Sequence, residues 1–233
     1  MLIYGLNPVN DAISFVPEKI KAIFCTEKTL NKINYKRSKI QIVDPAYFQK
    51  HFKEQTHQFI AAEVVFEYKD LNFLKKLISN QKKSSTILVL DHIQDPQNFG
   101  AIIRSAKAFA VDCIVIPNKR TSLVNSTVVK ASSGMALLLP IVQVANLSNC
   151  LELLKKENFW TYGLAMKGEK LSTKSKFDKK TCLVAGSEGL GISSLIEKNC
   201  DFLISIPMEA KVESLNVSVS VGILLNKIYL EQF

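Results

Sequence analysis

From residue 86 onward the chain alternates short apolar runs with amphipathic stretches. Ile87-Leu88-Val89-Leu90 is apolar at every position, the pattern of a strand buried on both faces of a parallel sheet. Residues 113–116, 138–142, 160–164, 182–185 and 202–206 repeat it and predict five further strands. Helical spacing intervenes at 99–110, around 125–133, and at 147–157, 193–199 and 214–230. In the first of these helices Phe99, Ile102, Ile103, Ala106 and Phe109 form one apolar stripe. The last is ambiguous, because the Val-Ser alternation after Asn216 also fits the two-residue period of a strand. Strand followed by helix, repeated, predicts a wound α/β domain over 86–233 with a parallel sheet. Ligands of such sheets bind beyond the carboxyl ends of the strands.

The first 79 residues read as a smaller α/β unit. A strand ends at Ile3-Tyr4, and a short helix is predicted over 8–15. Strands are predicted over 21–25, 41–43 and 59–66, and helical spacing covers 70–78. Asp44-Pro45 is an N-cap followed by proline at the first helical position, opening a helix that runs to about residue 52. The polar stretch 80–85 reads as the linker between the units. The segment with Lys167, Lys170, Lys174, Lys176, Lys179 and Lys180 reads as an exposed loop.

Composition narrows the function classes. A content of 47% hydrophobic and 22% charged residues excludes wholesale disorder. No apolar run approaches the roughly 18 residues of a membrane span, which excludes an integral membrane protein. The opening Met1-Leu2-Ile3-Tyr4-Gly5 has no charged leader, so no secretory signal is expected. Cys25, Cys113, Cys150, Cys182 and Cys200 are scattered without a C-x-x-C pair, which argues against disulfides or structural zinc and fits a reducing cytoplasm. His51, His57 and His92 lack metal-ligand spacing, so no metal is expected. The formal charge of +9 is uneven: residues 1–84 hold 14 basic and 8 acidic groups. That surplus fits a polyanionic partner, and equally a solubilising surface. Tyr35, Tyr47 and Phe48 lie among Lys32, Lys36, Arg37, Lys39 and Lys50, where they could stack on RNA bases or simply fill a core.

Three segments after predicted strands carry candidate chemistry. The first runs from Asp91 to Arg104. Asn98 is a candidate cap for the helix that follows, and Arg104 lies off its apolar stripe in the second turn. Helical side chains lean toward the N-terminus, so Arg104 is expected to point back at the crevice above the strand. Its planar fork suits a phosphate. The second is Gly186-Ser187-Glu188-Gly189-Leu190-Gly191, whose glycines let backbone amides approach a ligand. Its spacing is neither the dinucleotide fingerprint nor a Walker loop. The third runs from Ile206-Pro207-Met208 to Ser214-Leu215-Asn216-Val217-Ser218, where Ser214 and Asn216 fit helix capping as well as a site.

Taken in order over 86–230, these segments resemble the SpoU (TrmH) family of RNA ribose 2′-O-methyltransferases. Asn98, Gly100 and Arg104 match its Asn-x-Gly-x-x-x-Arg motif. Gly186, Glu188, Gly189 and Gly191 match Gly-x-Glu-Gly-x-Gly, and Ile206 to Met208 with Ser214 to Ser218 match the third motif. Glu209-Ala210-Lys211 replaces the small, glycine-containing turn usual after Ile-Pro-Met. Residues 3–9 and 57–61 resemble the family's ribosomal-protein-L30-like substrate-binding domain. The two-domain layout is most similar to the branch that methylates guanosine in bacterial 23S rRNA.

The resemblance implies a C-terminal domain tied in a deep trefoil knot, which periodicity alone would not predict. It implies S-adenosylmethionine bent within the knot loops, with Gly186, Gly191, Ile206, Leu215 and Leu164 as contacts. It also implies a homodimer that buries the last helix and brings Arg104 to the partner's cofactor, with Ser218 and Gly222 permitting close helix approach. Arg104 is then the catalytic candidate that orients an RNA phosphate and steadies developing negative charge. Asn98 holds Arg104 or the ribose, and Glu188, Ser214 and Asn216 order the loops and the target. Three alternatives stay open: a tRNA ribose methyltransferase, a drug-resistance rRNA methyltransferase, and a non-catalytic RNA-binding ribosome-assembly factor.

Overall fold

A computed structural model describes residues 1–52, 56–80, 84–172 and 175–232. The chain begins with β1 (Leu2–Tyr4), α1 (Leu6–Phe15), β2 (Ile20–Cys25), α2 (Glu27–Leu30) and β3 (Ile40–Ile42). It continues through α3 (Pro45–His51), β4 (Ile60–Val64) and α4 (Leu71–Ser79). The four strands form one sheet in the order β1-β4-β2-β3, with β4 antiparallel to both neighbours and β2 parallel to β3. Asp44 caps α3 as its sequence predicts, accepting from Ala46 N at 2.8 Å with Pro45 in the first turn.

Under α3 lies a small core of Phe48, Phe52 and Ala61, with Phe24 and Tyr47 stacked at 5.6 Å. Phe48 is therefore core and not a platform for RNA bases. Tyr47 is committed to the same cluster, and Tyr35 donates its hydroxyl to Pro17 O.

The second half supplies β5 (Ser85–Asp91), α5 (Pro96–Ala108), β6 (Cys113–Pro117), α6 (Ser126–Ala131) and β7 (Ile141–Val144). Then follow α7 (Leu147–Lys156), β8 (Trp160–Lys170), β9 (Lys180–Gly186), α8 (Ser194–Lys198), β10 (Phe202–Ser205) and α9 (Val217–Gln232). The six strands are parallel in the order β10-β8-β9-β5-β6-β7. All seven residues of β5 are buried, as a central parallel strand requires. Its side chains alternate: Leu88 and Leu90 face α5, α6 and α9, while Ile87 and Val89 face α4, α7 and α8. The first core is continuous with Ile3, Val9, Ala12 and Ile23 of the small unit.

Helix α4 contributes Leu74 and Ile78 to the far face of the large sheet, and Lys69 N donates to Ile141 O. The segment from Lys69 onward thus sides with the large sheet. The linker expected at 80–85 falls partly on residues 81–83, outside the described residues.

Several expectations need correction. The strand expected at 138–142 starts at Ile141, because a 3₁₀ turn (Met135–Leu137) and then Pro140 precede it. The alternating Val-Ser run is helical: it starts at Val217 and buries Val217, Val221, Leu224, Leu225 and Ile228. Lys167 and Lys170 belong to β8 and Lys180 to β9, so only part of that lysine-rich segment is loop; Lys174 lies outside the described residues. Among the described residues no helix is long and apolar enough to cross a membrane.

Candidate active site

Residues from β8 and its detour, the loop after β9 and the connection from β10 into α9 wall a cavity of about 840 Å³. That volume is ample for a cofactor-sized ligand. The wall from β8 has a specific origin. Leu203 pairs with Gly163, but Ile204 pairs with Glu169, so residues 164–168 bow out of the ladder. Leu164, Ala165 and Met166 of this detour line the cavity, and Ser205 Oγ donates to Gly168 O at 2.9 Å where the strands rejoin. Gly168 fits there because a Cβ would lie 2.5 Å from Ile204 N.

The turn after β9 is closed on itself. Ser187 N donates to Gly191 O at 3.1 Å, and Gly191 N returns to Ser187 O at 2.9 Å. Gly189 and Gly191 take left-handed φ values of +82° and +68°. A Cβ on Gly186 would fall 2.0 Å from the Gly191 backbone, so only glycine permits this closure. Ser193, just beyond the loop, donates its backbone N–H to Asp91 Oδ2 at 2.8 Å. Asp91 is fully buried at the end of β5, beside Gly186 in register, and His92 Nδ1 meets its other oxygen at 2.5 Å. Asp91 thus ties the glycine loop to the central strand, a role that sequence reading missed; the only signal was one acid directly after four apolar residues.

The loop after β10 makes a turn at Glu209–Val212, with Val212 N donating to Glu209 O at 3.0 Å. The Glu-Ala-Lys sequence therefore supports a turn without glycine. Asn216 ends this loop and caps α9: its Oδ1 accepts from Ser218 N at 2.8 Å and from Ser218 Oγ at 2.6 Å.

The three segments meet through side chains. Asn98 Nδ2 donates to Glu188 Oε1 at 2.8 Å, and Asn216 Nδ2 donates to the same oxygen at 2.6 Å and to Asn98 Oδ1 at 2.9 Å. The triangle closes across segments 90 and 118 residues apart. Asn98 is free to join it because it does not cap its helix. Asp95 is the cap, accepting from Asn98 N at 2.8 Å, with Pro96 next.

Gly186, Gly191, Ile206, Leu215 and Leu164 all line the cavity, as do Glu188, Ser214 and Asn216. Met208 and Glu209 of the third segment also line it, as do Lys170 and Glu213, to which sequence reading assigned no site role. Arg104 does not. It is exposed on α5 outside the cavity of its own chain, and its field is felt by Asp11 of α1. Contrary to the expected crevice position, within one chain the cavity lining includes Val217 and Ser220 of α9 and does not include Arg104. Among the described residues no group of three His, Cys, Asp or Glu side chains could hold a metal ion.

Residues 85–226 match the model of the SpoU rRNA Methylase family, and residues 2–68 match the model for RNA 2′-O ribose methyltransferase substrate binding. The chain is 34% identical over 96% of its length to the 23S rRNA (guanosine-2′-O-)-methyltransferase RlmB of Escherichia coli strain K12, and covers 96% of that protein. It is 45% identical over 64% of its length to a Borreliella burgdorferi protein described as an uncharacterized tRNA/rRNA methyltransferase, of which the match spans 65%, just under two thirds. Among solved structures, the SpoU methyltransferase AviRb from Streptomyces viridochromogenes in complex with AdoMet superposes with a TM-score of 0.80. That likeness covers 100% of this chain and 90% of the other at 19% identity, and speaks to the fold.

Proposed function

The chain belongs to the SpoU rRNA methylase family, and on that premise we propose that it transfers a methyl group from S-adenosylmethionine to the ribose 2′-oxygen of a guanosine in 23S rRNA. The observation that carries this reading is the Asn98–Glu188–Asn216 triangle beside a cavity lined by the glycine loop.

The cavity residues fit the cofactor. Leu164, Ile206, Leu215 and Val217 offer apolar surface to a purine, and Gly186 and Gly191, lacking side chains, let a ligand approach the backbone closely. Lys170 suits a carboxylate, while Glu209 and Glu213 suit the positive ammonium and sulfonium groups. When bound, the cofactor supplies an electrophilic methyl carbon.

The protein's own task is to place and deprotonate the hydroxyl. Arg104 holds the RNA phosphate and steadies charge developing on the 2′-oxygen; the proton passes to phosphate or water, since a neutral arginine is too costly. Glu188 and Asn216 fix the loops against Asn98, and Ser214 meets the ribose.

Arg104 works in trans, at the cavity of a second copy. Supporting this, α9 carries apolar side chains away from its buried stripe: Val219, Ile223 and Leu230 remain 50%, 44% and 69% exposed, with Asn226 between the last two. A homodimer through this face covers them and carries Arg104 across. Ser218 and Gly222 are engaged within the chain, Ser218 with Asn216 and Gly222 facing Ser105 of α5. The knotted path belongs to this proposal, as does a division of labour in which residues 1–79 select RNA and 86–233 carry the chemistry, α4 riding on the large sheet. The partner is RNA in the cytoplasm, without metal.

The test is mass spectrometry of rRNA fragments with and without the gene, alongside calorimetry of the purified protein with S-adenosylmethionine. The expected result is one guanosine in 23S rRNA losing its 2′-O-methyl mark, and cofactor binding. A mark lost from tRNA instead overturns the substrate, and failure to bind the cofactor overturns the enzyme.

A further inference from the structure

The residue that follows β5 has an unusual backbone. His92 takes a φ of +62°, in the left-handed region that a side chain enters at a cost. Both of its neighbours are held. Before it, Asp91 is buried at the end of β5 and pairs in register with Gly186, the first glycine of the loop after β9. After it, Ile93 is buried, and its carbonyl oxygen accepts from Ser122 N at 2.7 Å and from Thr121 Oγ1 at 3.1 Å. The backbone at position 92 is thus fixed from two sides in a shape that glycine would take more easily. The chain nonetheless carries an imidazole there, and the ring is engaged: Nδ1 lies 2.5 Å from Asp91 Oδ1. A carboxylate only accepts, so Nδ1–H is the donor of this bond.

We propose that His92 is a positioning residue for the cofactor, acting through Asp91 on the glycine loop. Asp91 is 1% exposed, and among the described residues its carboxylate has two partners: His92 on Oδ1, and the Ser193 backbone N–H on Oδ2 at 2.8 Å. With Oδ1 held by the ring, Oδ2 is aimed at Ser193, just beyond Gly191. That bond fixes the exit of the loop against β5, as the register with Gly186 fixes its entry. Between these two points lie Ser187, Glu188, Gly189 and Gly191, all on the cavity wall. His92 itself is not in the lining, and 39% of its side chain is exposed, so its influence on the cofactor is indirect. Without the ring, one oxygen of a buried carboxylate loses its donor; the carboxylate reorients toward water, and the Ser193 bond loosens with it. A strained backbone kept for this bond is the kind found where a site is preorganised. The inference rests on the reading of the cavity as the S-adenosylmethionine site.

The experiment compares the parent with His92→Gly and His92→Asn by calorimetric titration with S-adenosylmethionine, thermal unfolding and steady-state methyl transfer to 23S rRNA fragments. Glycine keeps the left-handed backbone and removes the donor. Asparagine tolerates that backbone and offers an amide N–H to Asp91. In His92→Gly the lost bond and the relieved φ oppose each other, so the unfolding temperature should move little. Its Kd and KM for the cofactor should rise roughly tenfold, the worth of one such bond. Its kcat at saturating cofactor and its KM for RNA should stay within about twofold of the parent. His92→Asn should bring the cofactor Kd back to within about threefold of the parent. Parent-like cofactor affinity in His92→Gly overturns the positioning role, as does a loss of affinity that tracks a lowered unfolding temperature in both variants. Failure of the parent itself to bind S-adenosylmethionine instead overturns the cofactor reading beneath it, so the two failures are distinguishable.

Discussion

The Asn216 side-chain amide donates to the Glu188 carboxylate at 2.6 Å while its own carbonyl oxygen caps α9. One residue therefore both starts the last helix and locks the glycine loop, and substitution can separate the two. Asn216→Asp keeps the cap acceptor, loses the donor, and sets a second carboxylate against Glu188. Thermal stability should change little, whereas methyl transfer should fall on the order of a hundredfold through misplacement of the loops. Asn216→Ala loses both functions and should also cost about 1 kcal/mol of stability. Equal stability losses in the two variants, measured by urea unfolding, would refute the separation.

The glycine loop makes a sharper contrast. At Gly186 an added Cβ would strike the Gly191 backbone at 2.0 Å, and backbone cannot swing aside as a side chain does. Gly186→Ala should cost about 3 kcal/mol and weaken cofactor binding at least tenfold. At Gly189 the space is open within 4 Å and only the positive φ opposes a side chain. Gly189→Ala should cost about 1 kcal/mol. Calorimetric titration of both variants with S-adenosylmethionine checks the ordering; a milder effect at Gly186 than at Gly189 contradicts it.

The contrast shows what local pattern can and cannot carry. Strands β5, β6 and β9 are legible because uniform apolar character has one common solution, burial on both faces of a parallel sheet. The detour of β8 is not. Leu164-Ala165-Met166 continues an acceptable strand pattern, and the shift is set by how Ile204 meets Gly168 from another strand. Capping was misplaced for a related reason: Asp95 and Asn98 are both good caps, and Pro96 at the first helical position favours the earlier one. Arg104 is exposed and absent from the cavity lining of its own chain, and the charge it presents is felt by Asp11 of α1, a segment no local pattern around Arg104 could reveal. The grouping of Asn98, Glu188 and Asn216 followed from the family resemblance, since no periodicity links loops so far apart.

The exposed stripe of α9 bears on oligomeric state. Val219 and Ile223 lie one turn apart, roughly half exposed, on a helix whose opposite face is core. An aspartate at Ile223 leaves that core untouched and places a charge on the proposed interface. Ile223→Asp should elute as a folded monomer in light-scattering chromatography and lose activity together with its partner, because Arg104 then has no second cavity to reach. An active monomer would remove the requirement for action in trans.

The cysteines should be inert. Cys25, Cys113, Cys150 and Cys182 are buried and Cys200 is half-buried. Burial pushes the Cys150 and Cys200 thiols up to about 12, and Cys113 and Cys182 well above their ordinary value. At pH 8 a thiol of that kind is ionised to about one part in ten thousand. A chromogenic disulfide reagent should label none of these four before denaturant is added and all of them after. Rapid native labelling of Cys200 would show that its pocket opens.

Asp201 sets an acid limit on stability. Its Oδ2 accepts from Thr161 N at 2.9 Å and Thr161 Oγ at 2.7 Å, and its Oδ1 stands 2.9 Å from Lys155 Nζ. Burial alone would raise this carboxyl, but Lys155 and Thr161 outweigh it and the net pKa is lowered. A depressed carboxyl stabilises the fold fully above its unfolded value of about 3.9, and the contribution disappears as pH falls through the lower folded value. Asp201→Asn removes the charge while keeping an oxygen for Thr161. At pH 7 it should unfold about 1 kcal/mol more easily than the parent, a modest figure because the pair is partly exposed. That difference should hold from pH 7 to about 5, then shrink steadily below about 4. Urea unfolding at a series of pH values measures it, and a gap undiminished at pH 2 would assign the effect to packing rather than to the carboxylate.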